Sequence, residues 1–231
     1  MSELVDPEFG TIQIRRVANA RHIRLRLTPT GQLVATMPRF APLFLLKKLI
    51  ESSREALQKA VQETESSGPP VYEDGMKIGA SHRIVMSYGP KSSARASGQT
   101  IAWQVTAGSD PRGPRQQSTI RAAVRKALDR EAKAYLPRRL RYLADTYGFD
   151  YQSVRYSNAK GRWGSCSSKG VISLNVALMN LPMEITDYVL IHELCHTRHL
   201  NHSPSFWSEV ERCKGNYKAL RTQLKTYSPY L

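Results

Sequence analysis

The segment His192-Glu193-Leu194-Cys195-His196 sets two imidazoles four residues apart, with a carboxylate directly after the first. On a helix, at about 100° per residue, the two histidines lie about 40° apart on one face, one turn from each other, so two ring nitrogens can reach one tetrahedral ion. Glu193 stands about 100° round from His192. It flanks such an ion rather than ligating it, and from there can take a proton from a metal-bound water. Leu190, Ile191 and Leu194 fill the opposite side and anchor the helix in a core. The chemistry implied is hydrolysis, with zinc as the ion and the peptide bond as the target.

A catalytic zinc usually keeps three protein ligands and one open position. Leu200-Asn201 reads as a helix end, with Ser203 and Pro204 as the N-cap and first residue of the next helix. His202 therefore falls in a turn that can fold back toward the metal. Its offset from His196 matches the third ligand of H-E-x-x-H-x-x-G-x-x-H, although His199 stands where that pattern has glycine. His199 is the rival ligand, but its backbone lies ~10 Å along the helix from that of His192. Glu209 and Glu211 are the carboxylate alternatives. Cys195, next to His196, reads as a packing thiol, and Phe206 and Trp207 as the residues that seat the returning helix.

The rest of the chain must position this cluster. It has 231 residues, 41% apolar and 23% charged, enough for one sizeable domain or two small ones. No apolar run approaches the ~20 residues of a membrane span. The first residues lack the basic-then-apolar pattern of a signal peptide, so the expectation is a cytoplasmic protein without a membrane partner. Cys166, Cys195 and Cys213 form no CxxC pair and read as reduced thiols. The net charge of +15 makes nucleic acid an alternative partner to a peptide or protein substrate.

Period-two alternation predicts strands within residues 11–40, including a hairpin around Pro29-Thr30-Gly31, then a helix from Pro42 to Glu65 that ends at Ser66–Pro70. Further strands are expected at Lys77-Ile78, Arg83–Met86 and Thr100–Val105, with loops at Gly89–Gln99 and Thr106–Ser118, the second a domain linker. Apolar positions from Ile120 to Leu143 predict a helix kinked or split at Pro137. Its exposed face is rich in arginine (Arg121, Arg125, Arg130, Arg138, Arg139, Arg141) and reads either as solvated surface or as a polyanion-binding stripe. Residues 163–166 and 171–174 form a hairpin around Ser167–Gly170, and a long helix runs from Leu181-Pro182 through His199. No internal repeat is visible.

Taken together, Arg162–Ser167, Ile172–Asn175, Leu181-Pro182, Tyr188-Val189 leading into His192–His196, Asn201–Ser203 and Phe206-Trp207 resemble the YgjP-like metallopeptidase family, related to the SprT and WLM metalloproteases. The resemblance is strong over the C-terminal half and looser around Ala20–Pro38, and the chain departs from the pattern at Lys91–Arg115. It implies a zincin-like catalytic domain with His192, His196 and His202 as ligands and Glu193 as general base. The expected fold is α+β: a strand-rich N-terminal domain with one helix over residues 1–110, and a zincin-like domain over 116–231 whose active-site helix packs under a small antiparallel sheet. Trp163, Gly164, Ser173 and Asn175 are candidate substrate-binding residues, because such folds add substrate backbone to an edge strand. Tyr188 and Arg162 are candidates to stabilise the oxyanion. Two rivals remain, a protease acting on nucleic-acid-bound proteins and a nucleic-acid-binding module with a structural zinc; loss of turnover in Glu193→Gln with metal retained separates the peptidases from the module.

Overall fold

The computed structural model describes residues 2–28, 32–65 and 70–231; the turn expected at Pro29–Gly31 and all but Pro70 of the break expected at Ser66–Pro70 lie outside them. By contact the chain divides into two compact units, Met1–Pro70 and Val71–Leu231. In the first, strands β1 (Ser2–Asp6), β2 (Gly10–Val17), β3 (Arg24–Leu27) and β4 (Leu33–Pro38) form a sheet in the order β1-β2-β4-β3. The central pair is parallel and both outer pairs are antiparallel. Alternation turns Ile12, Ile14, Leu33, Ala35 and Met37 to one face, where they meet Leu46 and Ile50. The single helix expected here is two, α1 (Leu43–Ser52) and α2 (Arg54–Glu65). The break follows from Ser52-Ser53: the Ser52 hydroxyl bonds the Leu49 carbonyl, and serine competes with the helix for backbone partners.

The second unit opens with the same wiring. Strands β5 (Lys77–Ile78), β6 (His82–Gly89), β7 (Ser93–Ser97) and β8 (Thr100–Thr106) pair in the order β5-β6-β8-β7, again with a parallel centre and antiparallel margins. A helix follows the sheet both times. This is an internal repeat that the residues do not announce, because only apolarity is shared: the inward Leu33, Ala35 and Met37 of β4 stand where β8 has Ile101, Trp103 and Val105. β7 occupies a stretch expected to be loop. Its serines and alanines carry no β-branched signature, yet Ala94 and Ala96 pack against the core.

Helix α3 (Pro114–Tyr147) has 34 residues and is continuous through Pro137, where the sequence predicts a kink or split. The carbonyl of Lys133, which loses the N–H of Pro137, belongs to an exposed residue that water can serve. α3 also explains why the units part at Pro70 rather than between residues 110 and 116. Ile78, Ile84, Ile101, Trp103 and Val105 share one core with Ile120, Val124, Leu128 and Leu136 of α3 and with the C-terminal elements. The buried Gln117 side chain fastens this join by bonding both the N–H and the carbonyl of Tyr72 (2.8 and 2.9 Å).

Beyond α3 come β9 (Ser153–Ser157), β10 (Gly164–Cys166) and β11 (Val171–Asn175), then a 3₁₀ turn (Val176–Asn180) and helices α4 (Met183–Cys195), α5 (Pro204–Cys213) and α6 (Tyr217–Leu224). β10 and β11 form the expected hairpin, but β9 joins β11 in parallel. The small sheet is therefore mixed, not antiparallel as expected, because β9 reaches it directly from α3 and not through a hairpin turn. The architecture is α+β. Among the described residues no helix is long and apolar enough to cross a membrane.

Candidate metal centre

Helix α4 carries the first two histidines and is buried nearly all round, by Ile185, Val189, Leu190, Ile191 and Leu194 among others. Its Asp187 receives two hydrogen bonds from the Arg139 guanidinium of α3 (2.7 and 2.6 Å), which ties the helix to its scaffold in rotation as well as position. The helix ends at Cys195 with His196 as C-cap, shorter than the predicted run to His199. The turn that follows brings the His199 carbonyl to His196 Nδ1 at 2.8 Å. Since a carbonyl only accepts, Nδ1 carries the proton and Nε2 is left as the ligand atom.

His202 lies in the turn before α5, where Ser203 caps the helix by accepting from the Phe206 N–H at 3.4 Å and Pro204 takes the first turn. Its Nε2 stands 3.1 Å from His192 Nε2, and the ligand atoms of His192, His196 and His202 all lie within 4.8 Å of one another. Two nitrogens on a tetrahedral zinc are about 3.3 Å apart, from Zn–N bonds near 2.05 Å. The donor set fits that ion. His199 offers its carbonyl to His196 instead of its ring to the cluster; Glu209 is bound to Arg198 and Arg212 (2.6 and 3.0 Å), and Glu211 is exposed. The Cys195 thiol is fully buried, and burial pushes its pKa up, as a packing thiol requires.

Aromatic rings hold the imidazoles from behind. Phe206 stacks on His196 with centroids 4.5 Å apart, and Trp207 stacks on His202 at 5.5 Å. Trp207 also stacks on Tyr217 and has the Arg221 guanidinium 4.6 Å from its ring. Burial lowers the His192 pKa to about 3, with His196 and His202 adding to the effect, so its ring is neutral as a ligand must be.

Glu193 is only 5% exposed, and its Oε2 has no partner among the described residues. Burial raises its pKa to about 8, against the attraction of Arg162. A buried carboxyl group with an unpartnered oxygen costs stability, which makes Glu193 a candidate for a functional role. β10 passes directly over it: a Cβ at Gly164 would sit 2.6 Å from Glu193 Oε1, so only glycine permits this approach. A cavity of about 170 Å³ opens beside the pair, lined by Trp163, Gly164, Tyr188, His192 and Glu193 and also by Val189 and Leu224. Leu224 has no signal in the sequence, since it reaches the site only through the fold of α6.

Trp163 and Gly164 thus line the cavity, whereas Ser173 and Asn175 stand outside that lining. Ser173 is in the central strand, paired with Ser165 on one side and Arg155 on the other. Asn175 is fully buried; its amide donates to the carbonyls of Ala159 and Arg162 and its oxygen accepts from Ala177. It shapes the β9–β10 loop that leads into Trp163. Tyr188 is buried at the cavity wall, with its hydroxyl pushed up to about 12 by burial. The arginines of α3 do not form one stripe. Arg139 is bound to Asp187 and Arg121 lies over Tyr72, while Arg125 and Arg130 line a different cavity.

Comparison with curated protein sequences gave no match. Among solved structures, the crystal structure of the metallopeptidase zymogen of Pyrococcus abyssi abylysin is 34% identical, over 39% of this chain and 91% of that chain, with a TM-score of 0.36. The model of the YgjP-like metallopeptidase domain matches residues 21–227, which span both units and every residue of the histidine cluster. The chain therefore belongs to the YgjP-like metallopeptidase family.

Proposed function

We propose that this metallopeptidase is a zinc enzyme of the H-E-x-x-H type, with His192, His196 and His202 as ligands and Glu193 as general base on a zincin-like scaffold. The observation that carries the reading is the meeting of three imidazole nitrogens beside a buried carboxyl oxygen that has no hydrogen-bond partner among the described residues. A bound zinc ion supplies Lewis acidity toward the scissile carbonyl and toward water. Glu193 is placed to accept a proton and return it to the leaving amine. His196 is held in the correct tautomer by the His199 carbonyl, and Phe206 and Trp207 keep the rings from swinging away.

The substrate is a peptide or protein segment in extended form. Among the described residues β10 pairs only with β11, which leaves its other edge for a substrate strand that would then pass Glu193 across Gly164. Trp163 walls that path, and the neutral Tyr188 hydroxyl and the Arg162 guanidinium are the donors available to a developing oxyanion. Ser173 and Asn175 act by holding β10 and its loop in place.

The test is Glu193→Gln in the metal-loaded protein. Zinc content by elemental analysis should stay at one ion per chain while peptide turnover falls about 10²–10⁴-fold. His202→Ala should lose the metal as well. Turnover that survives Glu193→Gln would refute the assignment of the base.

A further inference from the structure

A second and larger cavity, about 570 Å³, opens between α3 and the end of β9. One wall is Arg125, Lys126 and Arg130; the facing wall is Tyr156, Ser157 and Asn158. Within α3 the three cations fall inside an arc of about 140°, so they project to one side of the helix. Arg125 and Lys126 make no hydrogen bond or ion pair among the described residues, and Arg130 reaches only the Ala96 carbonyl at 3.2 Å. The lining includes one carboxylate, Asp129, and that is already bound by Lys133 at 2.7 Å. Three positive charges thus converge on a concave surface whose lining offers one carboxylate, itself shared with Lys133.

Such an arrangement concentrates positive potential and repels itself until an anion enters. Two guanidinium forks and an ammonium match the oxygens of a doubly charged phosphate, and a single carboxylate would leave the wall under-neutralised. The volume lies in the range of small-molecule sites and exceeds that of a bare phosphate, with the Tyr156 ring and the Asn158 amide beside the remaining space. We propose that this cavity is a binding site for a phosphate-bearing ligand, with Arg125, Lys126 and Arg130 holding the phosphate and Tyr156 and Asn158 facing its organic part. The site uses none of the residues of the metal centre and stands whether or not the zinc reading holds.

The phosphate group could come from a free ester or from a nucleic-acid backbone, and the experiment separates the two. Intact metal-loaded protein is titrated by calorimetry at low salt with inorganic phosphate and with glycerol 3-phosphate, and by anisotropy with a labelled ten-nucleotide oligothymidylate. Binding of the phosphates, weakened about tenfold or more in Arg125→Ser/Arg130→Ser and in Lys126→Ser, is the expected result. Arg95→Ser, an exposed arginine on β7, should bind as the parent does. Oligonucleotide binding that shows the same arginine dependence and is displaced by glycerol 3-phosphate assigns the nucleic-acid source; its absence assigns the free ester. No binding of any probe at millimolar concentration overturns the proposal. So does affinity unchanged in both variants, or displacement of the phosphates by a short oligoglutamate with equal potency.

Discussion

The two four-stranded sheets share strand order, pairing sense and a following helix, yet among the described residues only the second shares a hydrophobic core with the elements of the candidate metal centre. In the first unit α1 buries only Leu46 and Ile50 against its sheet, and the helix breaks after Ser52. In the second, α3 continues for 34 residues and buries Ile120, Ala123, Val124, Ala127, Leu128 and the leucines beyond Pro137, so that it meets the sheet and the C-terminal elements at once. Wiring therefore did not decide which copy would carry chemistry. The length of the helix did, because one part of its apolar stripe packs on its own sheet and the rest is left for the C-terminal elements, α4 among them.

The turns make the same contrast. In the first copy the β1–β2 turn is held by Asp6, which accepts from the N–H groups of Glu8 and Phe9, and Arg54 of α2 reaches Asp6 and Glu8. In the second, the β5–β6 turn is held by Glu131 of α3, which accepts from Ala80, Ser81 and His82. One turn is tied mainly by its own strand, the other by the helix that scaffolds the metal centre.

Substitutions test that contrast. Trp103→Ala should cost about 3–5 kcal/mol and reduce retention of the metal, since Trp103 joins β8 to the α3 core. The corresponding position of the first copy is already Ala35. Leu46→Ala should cost about 2–5 kcal/mol in the first unit, with metal content unchanged; calorimetry together with elemental analysis reads both. Equal loss of metal in the two variants would erase the distinction between the copies.

Asp187→Asn comes next, at about 1.5–3 kcal/mol, because it breaks the half-buried charged join between α3 and α4, where the first unit joins α1 to α2 through Arg54 and the exposed Glu51. Denaturant melting should show the loss, with peptide turnover falling alongside it.

The smallest effect is a pH dependence. Burial raises the Glu131 pKa, but the bonds from Ser81, Ala80 and His82 outweigh it and leave the pKa below its ordinary value of 4.5. A carboxylate lowered on folding adds stability above its unfolded pKa and loses it as pH falls through the folded one. Glu131→Gln should therefore cost about 1 kcal/mol at pH 7, with the difference from the parent closing below pH 4.5. A gap that persists in acid would mean that Glu131 acts by shape and not by charge.

The grouping of residues in the candidate metal centre was largely legible without coordinates. The i, i+4 spacing of His192 and His196, the position of Glu193 and the Ser203-Pro204 helix start that returns His202 are local signals, and local geometry is what a linear chain encodes most directly. The hairpin of β10 and β11 was legible for the same reason. Asn175 shows the limit: its type and strand-end position suggested a site residue, but its burial commits it to three backbone groups.

From its residues alone the chain specifies which donors can gather round an ion and which carboxylate stands beside them. Tertiary structure decided the mixed sense of the sheet, the hidden repeat, the unbroken passage of α3 through Pro137 and the contact of Gly164 with Glu193. Those features depend on partners many residues distant, and no propensity or period within a single element records what will pack against it.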